Sequence, residues 1–452
     1  MGLIVKFLPY FFSVLSCCLL SACSSFDDVH FDQQAKENLQ NITLTNIKTD
    51  YQRPTISLLQ LLNIDEANVL IAIALENNPS LQQTLITLKT AEQQLKVTSS
   101  AQWPSITGGL NADKSESNKA IYNSSINVAW TLDIWQQLAD ASQAEKANAV
   151  ASAYAYQGAK DLLVANVMKA YLGLVQFAQL IAIEAERVAT YKTNEQVIID
   201  RYRKGLIELN ELDTAKSSTQ SSQATLVDYQ AQYQQALRDL TLLTGVTENQ
   251  LTYRQVFPEV LLPLANIEKQ NLGRRPDLQQ AYQGIIASQY QHKVAYKALL
   301  PSLSLNASIT NSDANLHDAL FGSSAWQLLG QLSAPLFNAG KLTSEVEIAK
   351  LAAEKSYWGF QETLLLAVNE VDKTIAQEQS ISQRLALIES ALISAKQSEN
   401  IYTSRYRQGT VSLIDLLNIQ QQTFSLQTQV TQLKYEKLNN RISLGLALGL
   451  GV

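Results

Sequence analysis

The chain has 452 residues, is 46% hydrophobic and 17% charged, and carries a formal net charge of -6. That much apolar matter can bury a sizeable core, while the mild acidity offers no basic patch for nucleic acid. Beyond the N-terminus no segment approaches the roughly 18 uninterrupted apolar residues of a membrane helix, so any membrane crossing has to use strands.

The N-terminus carries Lys6, then an apolar run from Phe7 to Leu20 that holds Pro9, Ser13 and Ser16. A run this short and interrupted is a secretory signal, not a span, and residues 1–22 are assigned to it. It ends at Leu20-Ser21-Ala22-Cys23, which resembles a bacterial lipobox. Cleavage before Cys23 followed by acylation of its thiol and new amine would attach several chains, which hold a membrane far more firmly than one. Ser24 follows, not the aspartate that retains a lipoprotein at the inner membrane. The three cysteines, Cys17, Cys18 and Cys23, all lie here, so the processed chain has no disulfide framework and no expected cofactor beyond the covalent lipid on Cys23. Residues 23–67 form the lipidated N-terminal segment.

The rest is written twice. Asn78-Pro79-Ser80-Leu81-Gln82-Gln83 matches Arg275-Pro276-Asp277-Leu278-Gln279-Gln280 at an offset of 197, and Trp103-Pro104-Ser105 matches Leu300-Pro301-Ser302 at the same offset. Downstream, Arg201-Tyr202-Arg203-Lys204-Gly205 matches Arg405-Tyr406-Arg407-Gln408-Gly409, and Leu243-Thr244-Gly245 matches Ala447-Leu448-Gly449, both at 204. Ordered matches with a slowly growing offset mean a duplicated unit. Repeat one is placed at 68–245 and repeat two at 271–452, with a connector at 246–270. Each reads as helix, β-hairpin (about 104–133 and 301–334), very long helix, tight turn and helix.

In the hairpins apolar residues recur at every second position: Ile106, Gly108, Leu110, Ala112, then Ile126, Val128, Trp130, Leu132. Repeat two has Leu303, Leu305, Ala307, Ile309, then Trp326, Leu328, Gly330, Leu332. This is a strand with two unlike faces, and isolated hairpins cannot bury one. Trp103, Trp130, Trp135 and Trp326 lie near strand ends, as in the aromatic belts of a bilayer interface. From about Leu138 to Arg203 no proline occurs, which predicts a helix of about 100 Å at 1.5 Å per residue. Two seams run along it: Val164, Met168, Tyr171, Val175, Ala178, Ala182, Ala185, and Leu163, Val167, Ala170, Leu174, Phe177, Ile181. Two adjacent seams suit a stave in a barrel of helices; a filamentous scaffold would need one. Leu364, Val368, Val371 and Ile375 keep the step in a second helix from about Gly340 to Tyr406.

With the doubling, the alternating strands and two long helices ending in Tyr-x-x-Gly, the chain resembles the TolC-like outer-membrane factors over nearly all of its mature length. Arg274-Arg275-Pro276-Asp277-Leu278, Leu300-Pro301-Ser302-Leu303-Ser304-Leu305 and Pro335-Leu336-Phe337-Asn338-Ala339-Gly340-Lys341-Leu342 are similar to the NodT-type lipoprotein branch. The resemblance implies an α+β membrane protein. It implies a homotrimer with a twelve-stranded transmembrane barrel, four strands per subunit, continued by a periplasmic helical barrel. It implies an outer-membrane location, lipid contact, a periplasmic adaptor and an inner-membrane pump of the resistance-nodulation-division type. The segment before Ile71 lacks the tryptophan-rich opening of that branch, and the analogy drapes residues 24–67 along the outside of the tunnel.

Both long helices run into turns of one design, Gly205-Leu206-Ile207-Glu208-Leu209-Asn210-Glu211 and Gly409-Thr410-Val411-Ser412-Leu413-Ile414-Asp415. As physics each is a helix cap followed by a helix. The resemblance makes them the periplasmic tip, with Gly205, Leu206, Gly409, Thr410 and Val411 docking an adaptor. It makes Asp415 and Glu211 carboxylate rings around a narrow mouth, where threefold repetition would focus a negative potential. Tyr406 falls where the family has a tyrosine that helps to close the entrance. The arginine expected two residues after the second turn glycine is Val411 here, with Arg405 or Arg407 as candidate replacements. Tyr406→Phe with Asp415→Ala is then expected to open the channel.

Enzyme readings find no footing: His30, His292 and His317 lack metal-ligand spacing, and no phosphate loop or Gly-x-Ser-x-Gly elbow occurs. The competing reading is a lipid-anchored periplasmic helical scaffold without a channel.

Overall fold

A computed structural model describes residues 30–41, 57–60, 62, 65–116, 119–246, 256–258 and 269–452. Cys23 lies outside them, as do parts of the N-terminal segment and of the connector. In chain order the elements are α1 (Phe31–Asn41), α2 (Asp65–Asn77), α3 (Pro79–Ser100), β1 (Ser105–Asp113) and β2 (Ile121–Leu132). There follow α4 (Gln137–Arg203), α5 (Leu209–Thr244), α6 (Pro276–Lys297), β3 (Ser302–Asp313), α7 (Leu316–Phe321), β4 (Ala325–Ser333), α8 (Lys341–Arg407) and α9 (Leu413–Ala447). One compact unit holds the strands within residues 90–150 and 281–360, with α1 up to Glu37; the other holds residues 151–280 and 361–452 with α2 and the start of α3.

In the first unit both hairpins join one antiparallel sheet in the order β1-β2-β3-β4, so β2 and β3 link the repeats. Ser105 faces Ala129 in the first hairpin and Ser302 faces Ser333 in the second, which reproduces offsets of 197 on the outgoing strand and 204 on the returning one. The growth of the offset falls in the loop between β3 and β4, where α7 sits.

The register aligns the two faces across the sheet. One row runs Ile106, Val128, Ala307, Leu328 and another runs Leu132, Leu303, Leu332, all apolar. The alternate row runs Thr107, Asn127, Ser308, Gln327, without a charge. The apolar side faces out of the chain, with Trp326 79% and Leu332 70% exposed. That side is apolar from Ile126 to Leu132 on β2 and from Leu303 to Ile309 on β3, and the strands, 9 to 12 residues long, meet the length of roughly 9–11 that crosses a bilayer. Tryptophans fix the ends of the strands: Trp130 Nε1–H donates to Gln102 O at 3.0 Å and Trp135 Nε1–H to Pro301 O at 2.7 Å. The amphipathic indole suits that boundary because its N–H is satisfied while its body meets lipid. Helix α1 packs in this unit, with Ala35 fully buried and Phe31 stacked on Tyr357 at 5.3 Å between ring centroids.

Helices α4 and α8 have 67 residues each. The core of the second unit gathers Leu163, Val164, Val167, Met168, Tyr171, Leu174 and Val175 of α4 against Leu70, Leu240, Leu438 and Ile442. Alone among the helices of the described residues, α4 is apolar and long enough to cross a membrane, and half of that stretch is buried within the chain. The two seams hold to Val175 and then drift. Ala182 and Ala185 are exposed, while Leu180, Glu184, Val188 and Tyr191 are buried. A helix of 3.6 residues per turn walks off a strict seven-residue repeat by about 20° per heptad. Sequence spacing assumed the strict repeat.

Two carboxylates are carried inside by this packing. Glu184 accepts from Arg187 Nη2 at 2.6 Å and from Ser222 Oγ at 2.7 Å. Glu378 on α8 accepts from Arg441 Nε at 2.7 Å and Asn440 Nδ2 at 3.1 Å on α9. Removing one partner of a buried pair leaves an uncompensated charge. Arg441→Ala should therefore cost about 3 kcal/mol, read as a lower melting temperature of the detergent-solubilised protein. Glu378→Leu with Arg441→Met should recover most of it, because neither charge then remains.

Candidate functional site

At the end of α4 the chain reverses through Gly205, whose φ is +70°, and at the end of α8 through Gly409, at +74°. Side chains disfavour this left-handed conformation by about 1–2 kcal/mol, which is why glycine occupies both. The orphan carbonyls are met alike. Leu206 N–H donates to Arg201 O and Thr410 N–H to Arg405 O, each at 3.0 Å. Gly205 N–H reaches Tyr202 O at 2.8 Å and Gly409 N–H reaches Tyr406 O at 3.0 Å. Both are the doubly bonded left-handed termination in which a helix stops within one turn.

The helices that follow start differently. Ser412 caps α9 with a closed box: Asp415 N–H donates to Ser412 Oγ at 3.2 Å, while Ser412 N–H and Oγ–H donate to Asp415 Oδ2 at 3.1 Å and 2.5 Å. Its counterpart at α5 is Glu208, which makes no side-chain cap. The Asp415 carboxylate is thus engaged by its own helix, although exposed, whereas the half-buried Glu211 has no such role.

Beneath the turns Tyr191, Ile198, Leu212, Ala215, Leu413, Leu416 and Leu417 form a closed apolar cluster, with Tyr402 and Tyr406 packed on its edge. The Tyr406 hydroxyl is buried and makes no hydrogen bond among the described residues. Its ring instead receives the guanidinium of Arg201, 4.9 Å from the centroid. Burial pushes the Tyr406 phenol above its ordinary range; Arg201 opposes the shift and Glu211 adds to it. The arginine that meets this tyrosine therefore comes from the other repeat. Arg405 and Arg407 are exposed and form no ion pair among the described residues.

Of the remaining residues picked from sequence, Leu206 and Thr410 are exposed and Val411 is half-buried. The structure adds Leu209 and Ile414, 53% and 44% exposed at the first turns of α5 and α9. Their signal in the sequence is a large aliphatic residue in the first turn of the helix that follows each glycine reversal. Higher on α8, Glu399 is pushed up by burial and by Glu186, while Thr423 and Lys396 act in the opposite direction. A raised carboxyl contributes stability that is present below its unfolded value and lost as pH rises through its folded value. Glu399→Gln should consequently raise the melting temperature at neutral pH and leave it unchanged below about pH 4.

A thick exposed apolar sheet face, paired with long helices closed by twin glycine reversals, is an architecture found among known proteins. The outer membrane efflux protein family matches the chain twice, over residues 70–246 and 268–450. This chain belongs to that family. It is 28% identical over 406 residues to the probable outer membrane lipoprotein SilC of Salmonella typhimurium, covering 84% of this chain and 85% of SilC. It is 26% identical over 402 residues to the cation efflux system protein CusC of Escherichia coli O157:H7, covering 86% of each. The CmeC outer membrane channel of Campylobacter jejuni superposes with a TM-score of 0.80 at 22% identity, over 91% of this chain and 94% of CmeC. The sequence resemblance to TolC-like outer-membrane factors holds, and the chain is an outer-membrane efflux channel protein with that family's fold.

Proposed function

We propose that three copies of this chain form a passive exit duct of a tripartite efflux system, anchored by lipid on Cys23 and working without covalent chemistry. Substrate arrives from an inner-membrane pump of the resistance-nodulation-division type through a periplasmic adaptor. The observation that supports the duct is the sheet. Its apolar face lies open in the single chain, and within the described residues β1 and β4 each have one unpaired edge. Lipid tolerates neither open edges nor unmet backbone groups, so closure with further copies is what makes such a sheet viable.

The tip then meets the adaptor through Gly205, Leu206, Gly409, Thr410 and Val411, with Leu209 and Ile414 as the exposed apolar anchors. Tyr406, Arg201 and Glu211 lie at the aperture, and Asp415 serves it by holding α9 in place. Heat-sensitive trimers in the outer-membrane fraction that conduct ions in a planar bilayer are the expected result. Cysteines at Leu206 and Thr410 should crosslink to the adaptor's helical hairpin. A monomer that binds membrane yet conducts nothing would instead select the lipid-anchored scaffold.

A further inference from the structure

The internal duplication fixes how neighbouring copies join, a consequence that rests on the trimeric reading above and adds the pairing of strands. Within the chain, the link between repeats is the β2–β3 ladder, with Leu132 opposite Leu303, Trp130 opposite Leu305, Val128 opposite Ala307 and Ile126 opposite Ile309. The hairpins themselves superimpose at offsets of 197 for β1 onto β3 and 204 for β2 onto β4. If all strands sit in equivalent surroundings, β4 must meet the next copy's β1 as β2 meets β3. We infer that β4 of one copy pairs antiparallel with β1 of a second copy with Leu332 opposite Leu110, Gly330 opposite Ala112 and Leu336 contacting Ile106.

The apolar patterning agrees with this register and did not enter its derivation. On the apolar face it sets Leu332 opposite Leu110 and Gly330 opposite Ala112, with Gln331 opposite Asn111 on the other face; a slip of one residue would set Leu332 against Gly109 or Asn111 and turn polar rows to lipid. It also gives Leu336, 94% exposed just past the end of β4, a neighbour in Ile106, itself 71% exposed. Pro335 has no N–H to give, so the ladder of main-chain bonds ends near Ser333 and Leu336 contributes its side chain alone.

The seam between copies also differs in a defined way from the seam inside one. The internal seam is latched by Trp135 onto Pro301 O and by Lys297 onto Asp140 Oδ2 at 2.5 Å. At the offsets above, Trp135 becomes Ala339 and the ion pair becomes Ser100 with Ser344. The junction between copies therefore lacks the counterparts of that indole donor and that ion pair, and holds by strand pairing and by Leu336.

Cysteines at Leu332 and Leu110 of the same chain test the register in purified full-length protein, using a short bis-thiol alkylating reagent, with native mass spectrometry reporting assembly. Directly opposed residues lie about 5 Å apart and diagonal ones about 7–8 Å, so Leu332/Leu110 should give at least about fivefold more covalent dimer and trimer than Leu332/Gly108 or Leu332/Ala112. Gly330 with Ala112 provides a second in-register pair if the first does not assemble. Trimers that crosslink best at a pair shifted by two, or at none of these, overturn the register while leaving the trimer standing. Absence of trimers from the unsubstituted chain overturns both.

Discussion

Leu328→Arg should remove the protein from the pool of heat-sensitive trimers, while Gln327→Arg, one residue away, should leave assembly intact. Leu328 is 65% exposed and continues the apolar row of Ile106, Val128 and Ala307 near the middle of β4. An arginine on the lipid face close to the bilayer midplane costs about 2–4 kcal/mol, and a trimer meets that cost three times. Gln327 sits in the opposite row with Ser308, Asn127 and Thr107, the face that a closed barrel turns to water. There the same arginine adds a ring of positive charge to a wall without charges in that row, so the reversal potential in a salt gradient should move toward anions. Gel mobility with and without heating measures the first effect and bilayer recording the second. Equal loss of trimers from both variants would mean that the two faces have been assigned wrongly.

Those faces were readable from the sequence because period two is a local signal and nothing in the fold competes with it. Leu303, Leu305, Ala307 and Ile309 need no knowledge of their partners to announce a strand with one apolar side. Gln137–Arg203 was readable because a chain of that length without proline has little alternative. What escaped depends on partners far away in the chain. Arg201 meets Tyr406 across two helices of different repeats, and the motif pointed to a neighbour in sequence, Arg405 or Arg407. Ala182 and Ala185 missed the core because the drift of a real helix accumulates over turns that a heptad count treats as fixed. The box of Ser412 and Asp415 is legible as Ser-x-x-Asp, a local signal that competes for the same acid with the pore role implied by the family resemblance.

Arg201→Ala should open the closed channel, whereas Tyr406→Phe should do almost nothing. The Tyr406 hydroxyl is buried without a partner among the described residues, so it offers no bond to a neighbouring copy, and deleting an unmet buried hydroxyl carries little penalty. The ring is the part in use. A guanidinium 4.9 Å above it draws the ends of α4 and α8 together with an attraction of about 0.5–2 kcal/mol. Losing that bond shifts the balance of closed and open tips about two- to thirtyfold per subunit, visible as raised conductance in a bilayer. Tyr406→Phe with Asp415→Ala, the pair suggested by family resemblance, would act through the cap of α9 alone, worth about 1 kcal/mol. The pH response separates the two accounts further. Because the Tyr406 phenol is raised above its ordinary value of 10.0, its neutral form stabilises the tip below that pH, and the contribution is lost only as pH climbs through the raised value. Opening by alkali should start above about pH 10 in the unsubstituted protein and be absent from Tyr406→Phe, leaving conductance flat across neutral pH. If Tyr406→Phe alone opened the channel at pH 7 as widely as Arg201→Ala, the hydroxyl would have to be the closing contact and the burial of its oxygen would have to be lost in the assembled tip.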